Sequence, residues 1–111
     1  VFDWQLAVTE TDDWLDRKVG DRYRYAGLAQ DWARVAKIGE ELGEAIDALS
    51  GFTGQNPRKG EYGSVNDLID ELADVVFTGI LAIQHFTKSY SHTAEALNCR
   101  LDRIHSRVTN A

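Results

Sequence analysis

The sequence predicts an all-α protein, a helical bundle of about four helices that completes its core by dimerisation. Three observations point there. Apolar residues recur at spacings of three and four along most of the 111 residues, the pattern of helices that bury one stripe. The few Gly, Asn and Pro clusters fall between those segments rather than inside alternating strands. Finally, the run VVFTGILAI is apolar on nearly every side, more than a short chain can cover with its own helices, so a second subunit is expected across it.

The first helix is expected over about residues 3 to 19, with Leu6, Trp14, Leu15 and Val19 on its apolar side and a break near Thr9 to Asp12. The second, about 27 to 49, sets Leu28, Trp32, Val35, Ile38, Leu42, Ala45, Ile46 and Leu49 toward a core and stops before Gly51. Residues 51 to 63, GFTGQNPRKGEYG, hold four of the nine glycines and the proline, and read as a loop. Ser64 with Asp67 three residues later predicts a capped start for the third helix, about 65 to 88. Its apolar residues run Val65, Leu68, Ile69, Leu72, Val75, Val76, Ile80 and Ile83. The fourth, about 92 to 108, puts Leu97, Leu101, Ile104 and Val108 on one stripe and Arg100, Arg103 and Arg107 on another. With no internal repeat, the elements make one domain, 1–111.

Twelve basic residues against eighteen acidic ones, a formal charge of −6, argue against a nucleic acid polymer as partner. No segment has the eighteen or so uninterrupted apolar residues of a membrane span. Cys99 is the only cysteine, which excludes an internal disulfide, suits a reducing cytoplasm and predicts a thiol used for packing. Methionine is absent even at position 1, so residues trimmed from before Val1 are expected.

Chemistry enters with two acidic blocks set inside apolar helices: Glu40, Glu41 and Glu44 in KIGEELGEAI, and Glu71 and Asp74 in DELADVVF. Residues three or four apart share a helix face, so Glu44 converges with Glu40 or Glu41, and Glu71 with Asp74. Asp67 and Thr78 extend the second stripe. If the two helices pack antiparallel, the pairs oppose each other. Carboxylates without histidine or thiolate partners form a hard oxygen site that suits Mg²⁺, or Mn²⁺, and through it a polyphosphate. A solvated acidic face is the plainer alternative.

The pattern Glu-Glu-x-x-Glu at 40 to 44, 26 intervening residues, then Glu-x-x-Asp at 71 to 74 resembles the signature of the MazG-like all-α nucleoside triphosphate pyrophosphohydrolases. Lys37, Gly43, the run ELADVV and the loop GQNPRKG fit the same family, the loop matching its short stand-alone branch. The resemblance spans about residues 28 to 108. It implies a homodimer or tetramer that uses Mg²⁺ to hydrolyse a nucleoside triphosphate to the monophosphate and pyrophosphate, with nucleotide-pool housecleaning as the role. It also implies that Glu41, Glu44, Glu71 and Asp74 hold the metal, and that Glu40 is the base for the attacking water or a ligand to a further ion.

Lys37, one turn before the first block, is placed either to touch a phosphate or to pair with Glu41. Arg58 and Lys59 either close over the phosphates from the loop or remain solvated loop charges. Asn98 and Arg103 sit where the family often carries polar or basic residues; the alternative is a surface stripe. Trp14 and Trp32 are expected in the core rather than stacked on a base. His85, His92 and His105 form no catalytic set, and the Glu-x-x-His pairs of a di-iron bundle are absent. The rival from another class is a non-catalytic helical oligomerisation or regulatory module that retains the acidic site.

Overall fold

Asp3 starts the first helix: its carboxylate accepts from the Leu6 backbone N–H at 3.0 Å, satisfying one of the donors that a helix start leaves open. The computed structural model describes residues 1–20 and 26–110. Among these it contains helices only: α1 (Trp4–Gly20), α2 (Ala26–Thr53), α3 (Val65–Thr87) and α4 (Tyr90–Thr109). Side chains of Val19, Gly20, Ala26 and Gly27 lie outside the described set, and with them the expected apolar role of Val19.

α1 runs without the expected break. The Thr9 hydroxyl folds back to donate to the Gln5 carbonyl at 2.8 Å, and Asp12 turns inward and is buried, so the polar stretch is satisfied within a continuous helix. α2 continues through Gly51, beyond the expected end of the helix. Gly51 is there for a close approach: a Cβ at this position would lie 2.5 Å from the Tyr62 ring, and the Tyr62 N–H donates to the Gly51 carbonyl at 2.9 Å. The chain turns instead at Gly54, whose φ of 67° suits glycine.

Ser64 and Asp67 form the expected capping box at the start of α3, where Asp67 Oδ2 accepts from the Ser64 N–H at 2.8 Å. α3 ends at Lys88, held in the left-handed region at φ 54°. Ser89 then caps α4, which begins two residues ahead of the expected start.

α2 packs chiefly on α3, and the pairing is antiparallel: Asp31 meets His85, Arg34 meets the Leu81 carbonyl, and Gly51 meets Tyr62. α1 lies across both, while α4 packs on α3 and α1, with no close backbone approach to α2 among the described residues. The apolar residues most buried are Val8, Ala45, Leu81 and Ala82. The stripe expected to form the core of α2 is otherwise open: Leu28, Trp32, Val35, Leu42, Ile46 and Leu49 are exposed, Trp32 by 72%. So are Val65, Ile69, Leu72 and Val76 on α3, and Leu101, Ile104 and Val108 on α4. Trp14 is also exposed, with the Lys18 ammonium 5.0 Å from its ring centre, and Cys99 is exposed rather than packed.

The helical periods are therefore correct, but the apolar faces they define turn away from the chain's own helices. Its dimensions agree. The radius of gyration is 17.1 Å, against about 13 Å for a compact chain of this length. Accessible surface is 8196 Å², against about 6,100 Å² expected for a folded monomer of this mass.

Candidate metal centre

The α2–α3 hairpin folds one acidic block onto the other. Glu41 and Glu44 stand one turn apart on α2, Glu71 faces them from α3, and one carboxylate oxygen of each lies within 4.8 Å of the other two. Like charges at this spacing repel, and burial raises the cost of leaving them uncompensated. Glu71 Oε2 is buried and has no hydrogen-bond partner among the described residues.

Lys37 is the cation beside this group. Its Nζ lies 3.5 Å from Glu40 and 3.6 Å from Glu41, and the charge of Glu40, then that of Glu41, holds the ammonium above its usual range against slight desolvation. The plainer role foreseen for Lys37, a helix ion pair, is thus present. The pair is exposed on the lysine side and contributes little to stability. Neither Glu44 nor Glu71 has an ion pair among the described residues.

Beside the carboxylates lies a cleft of about 440 Å³ lined by Glu40, Glu44, Asp47, Tyr62, Asp67 and Glu71, with Gly43, Ala48 and Gly63. Asp67 is engaged by the capping box, and Asp47 accepts from the Tyr62 hydroxyl at 3.2 Å. Glu40 stands exposed on the cleft wall. Tyr62 was not foreseen as part of the site; its only mark in the sequence is a lone aromatic in a glycine-rich loop.

Asp74, one turn beyond Glu71, is exposed and outside the group of three. Arg58 and Lys59 are exposed in the loop and do not line the cleft. Asn98 lines a different cavity, about 830 Å³, beside Ile38, Val76 and Leu101. Arg103 is exposed five residues further along α4 and does not line the cleft. The structure therefore gathers Glu41, Glu44 and Glu71, adds Glu40 and Lys37 at the rim, and leaves Asn98 away from them.

A second acidic group joins Asp12, Asp16 and His85, and it differs in kind because cations already fill it. Arg34 Nη2 donates to Asp12 Oδ1 at 2.9 Å and to Asp16 Oδ1 at 3.2 Å. Lys88 Nζ donates to Asp12 Oδ2 at 3.1 Å and to Asp16 Oδ2 at 2.7 Å. His85 Nε2 lies 2.6 Å from Asp31. Burial pushes Asp16 up, but hydrogen bonds from Lys88 and Gln30 and the charges of Lys88 and Arg34 outweigh it, leaving the carboxyl below its usual range. Burial likewise pulls Lys88 down, and its bonds to Asp16 and Asp12 reverse that, holding it above the usual lysine value. The network ties α1 to α2 and α3. A signal for it exists in the sequence: Asp12 and Asp16 at helical spacing, and Arg34 set within the mostly apolar α2.

Comparison of the chain with protein-family models, with curated proteins and with solved structures gives no match. No helix among the described residues is long and apolar enough to cross a membrane.

Proposed function

We propose that this chain is a cytoplasmic MazG-like nucleoside triphosphate pyrophosphohydrolase that uses Mg²⁺ to release pyrophosphate and the nucleoside monophosphate. The observation that supports this most is the buried, unpartnered Glu71 Oε2 beside Glu41 and Glu44. An all-oxygen set with this much negative charge fits a hard divalent cation, Mg²⁺ or Mn²⁺.

Glu41, Glu44 and Glu71 hold the ion, and Asp74, exposed on the turn after Glu71, is the fourth carboxylate of the set. Bound Mg²⁺ supplies charge neutralisation at the phosphate oxygens and orientation of the attacking water. Glu40, exposed on the cleft wall beside Lys37, accepts the proton of that water. Lys37 exchanges its exposed carboxylate pairs for a phosphate oxygen, and Arg58 and Lys59 approach the phosphates by movement of their loop. Asn98 and Arg103 take part only where a second copy carries α4 to the cleft, because a chain's own α4 packs on α3 and α1 and its Asn98 lines a different cavity.

That second copy has its own support. The exposed apolar stripes of α2, α3 and α4 and roughly 2,000 Å² of surface beyond that of a compact monomer match what one partner buries in an obligate homodimer. The same stripes favour the alternative function, a non-catalytic oligomerisation or regulatory module, and one measurement separates the two. The enzyme gains thermal stability with Mg²⁺ and an α,β-imido nucleoside triphosphate, by about 2.7 kcal/mol at a hundredfold excess over Kd, and Glu71→Gln removes the gain. No shift with any nucleotide would leave the module as the function.

A further inference from the structure

α2 and α3 each present an apolar row in which steps of four and three residues alternate without a break. On α2 the row is Leu28, Trp32, Val35, Leu42, Ile46 and Leu49, all exposed, with Gly39 at the one remaining position between Val35 and Leu42. On α3 it runs Val65, Ile69, Leu72 and Val76, then Gly79, then Ile83 and Phe86, exposed except for the half-buried Gly79 and Ile83. A period of 3.5 residues held over three heptads is the seam of a coiled coil, narrower than the stripe of a helix that lies on its own domain.

Nothing within the chain explains the two glycines. Among the described residues no neighbouring atom lies within 4 Å of where a Cβ would sit on either, neither has a positive φ, and glycine in the middle of a helix is unfavourable. They also stand level with each other, since Ile38 and Gly79 line one cavity and Lys37 and Thr78 another. Each is the centre of a near-palindrome. Trp32 and Ile46 lie seven residues either side of Gly39, Val35 and Leu42 four and three, and Leu28 and Leu49 eleven and ten. Leu72 and Phe86 lie seven either side of Gly79, and Val76 and Ile83 three and four.

We infer that two copies of this chain pack face to face about a two-fold axis that crosses α2 at Gly39 and α3 at Gly79. Each helix then lies antiparallel on its own counterpart. Trp32 of one copy meets Ile46 of the other, Val35 meets Leu42, Leu28 meets Leu49, and on α3 Leu72 meets Phe86 and Val76 meets Ile83. The glycines meet themselves, and let the backbones approach toward the short end of the usual spacing of about 8–10 Å between helix axes. A different protein would need no such symmetry in the row it covers, whereas a contact between identical copies about a two-fold axis does. The surplus surface of roughly 2,000 Å² per chain suffices for a stable dimer. Of the positions that border the two rows only Asp31 is charged, so the pairing desolvates little charge. Glu41 and Glu44 follow Gly39 and Leu42 by two residues, about 200° round α2, so the seam lies away from the carboxylates and the inference stands apart from the enzymatic reading.

Cysteine cross-linking tests the axis, in a Cys99→Ser background so that the exposed native thiol takes no part. A residue on a two-fold axis meets its own copy, so Gly39→Cys is expected to oxidise to a covalent dimer, its Cα atoms coming within the span of about 4.4–6.8 Å that a disulfide requires. Trp32→Cys is expected not to couple with itself, its two copies being about 21 Å apart in the antiparallel register, but to couple with Ile46→Cys chains mixed in. That mixture decides the matter if Gly39→Cys does not fold. By light scattering, Gly39→Phe and Gly79→Phe are expected to be monomeric. Gly39→Ala is expected to stay dimeric, because helices in contact through alanine still approach to the short end of the usual spacing. Self-coupling of Trp32→Cys, which parallel α2 helices would give, overturns the inference, as does a folded Gly39→Cys or a mixture that stays uncoupled. A folded phenylalanine variant that remains dimeric overturns it too, and so does a monomeric wild type.

Discussion

Arg34 on α2 grips Asp12 on α1 twice, its Nη2 donating at 2.9 Å to both the carboxylate and the backbone carbonyl. Both side chains are at most 5% exposed, so removing one partner strands a buried charge. Asp12→Ala is expected to destabilise the fold by about 3–5 kcal/mol, read from urea unfolding. A loss below about 1 kcal/mol, the size of a surface pair, would mean that the network does not anchor α1.

The Asp16–Lys88 pair sets a pH window. Asp16 is held below its usual range, so its contribution is complete above the unfolded value near 3.9 and is lost as pH falls through the lower folded value. Lys88 is held above its usual range, so its contribution is complete below the unfolded value near 10.4 and is lost as pH rises through the higher folded value. The stability difference between wild type and Lys88→Met is therefore expected to shrink in stronger acid and in stronger base, while a slope in the neutral range belongs to His85, whose Nδ1 lies 3.5 Å from Lys88 Nζ. Unfolding curves at stepped pH check this, and a difference undiminished at both extremes would contradict it.

Two glycines of α2 are expected to respond in opposite directions. Gly39 has open space where a Cβ would go, so Gly39→Ala gains about 0.5–1 kcal/mol of helix stability. A Cβ on Gly51 would lie 2.5 Å from the Tyr62 ring, and Gly51→Ala is expected to lose stability in spite of its better helix propensity, because the ring that walls the acidic cleft must move. Melting temperatures of the two variants decide it; a rise in both would show that Tyr62 is not packed on Gly51.

The exposed stripes predict a solution mass of at least twice the 12.4 kDa of one chain, measured by light scattering. Ile46→Glu with Ile69→Glu places charge on both the α2 and α3 stripes, whose members are 58% and 54% exposed here, and is expected to yield monomers. A monomeric wild-type protein would leave these faces without a role in assembly.

The helices and the capping box at Ser64 were legible because spacing and local hydrogen bonding decide them. The meeting of Glu41 and Glu44 with Glu71 was legible only in part: helix spacing pairs Glu44 with Glu40 or Glu41, the opposition of the blocks depends on antiparallel packing, and Asp74, expected with Glu71, stands outside the group. What escaped depends on neighbours distant in sequence. Periodicity says which residues share a face but not whether that face meets its own chain, so Trp32, Ile46 and Leu72 read as core and lie open. Gly51 read as a helix stop because its reason for being glycine, the Tyr62 ring, arrives from the loop. Asp12 read as a break because its partner Arg34 is 22 residues away.

Pyrophosphate release from a panel of nucleoside triphosphates with and without Mg²⁺, in wild type and in Glu71→Gln, bears on everything above the level of fold. Mg²⁺-dependent release from at least one nucleotide of the panel is expected in the wild type, and its loss in a Glu71→Gln protein that retains its helical circular dichroism. Release that persists without Glu71, or a wild type inactive on the whole panel, would contradict the assignment of the three glutamates to a catalytic metal.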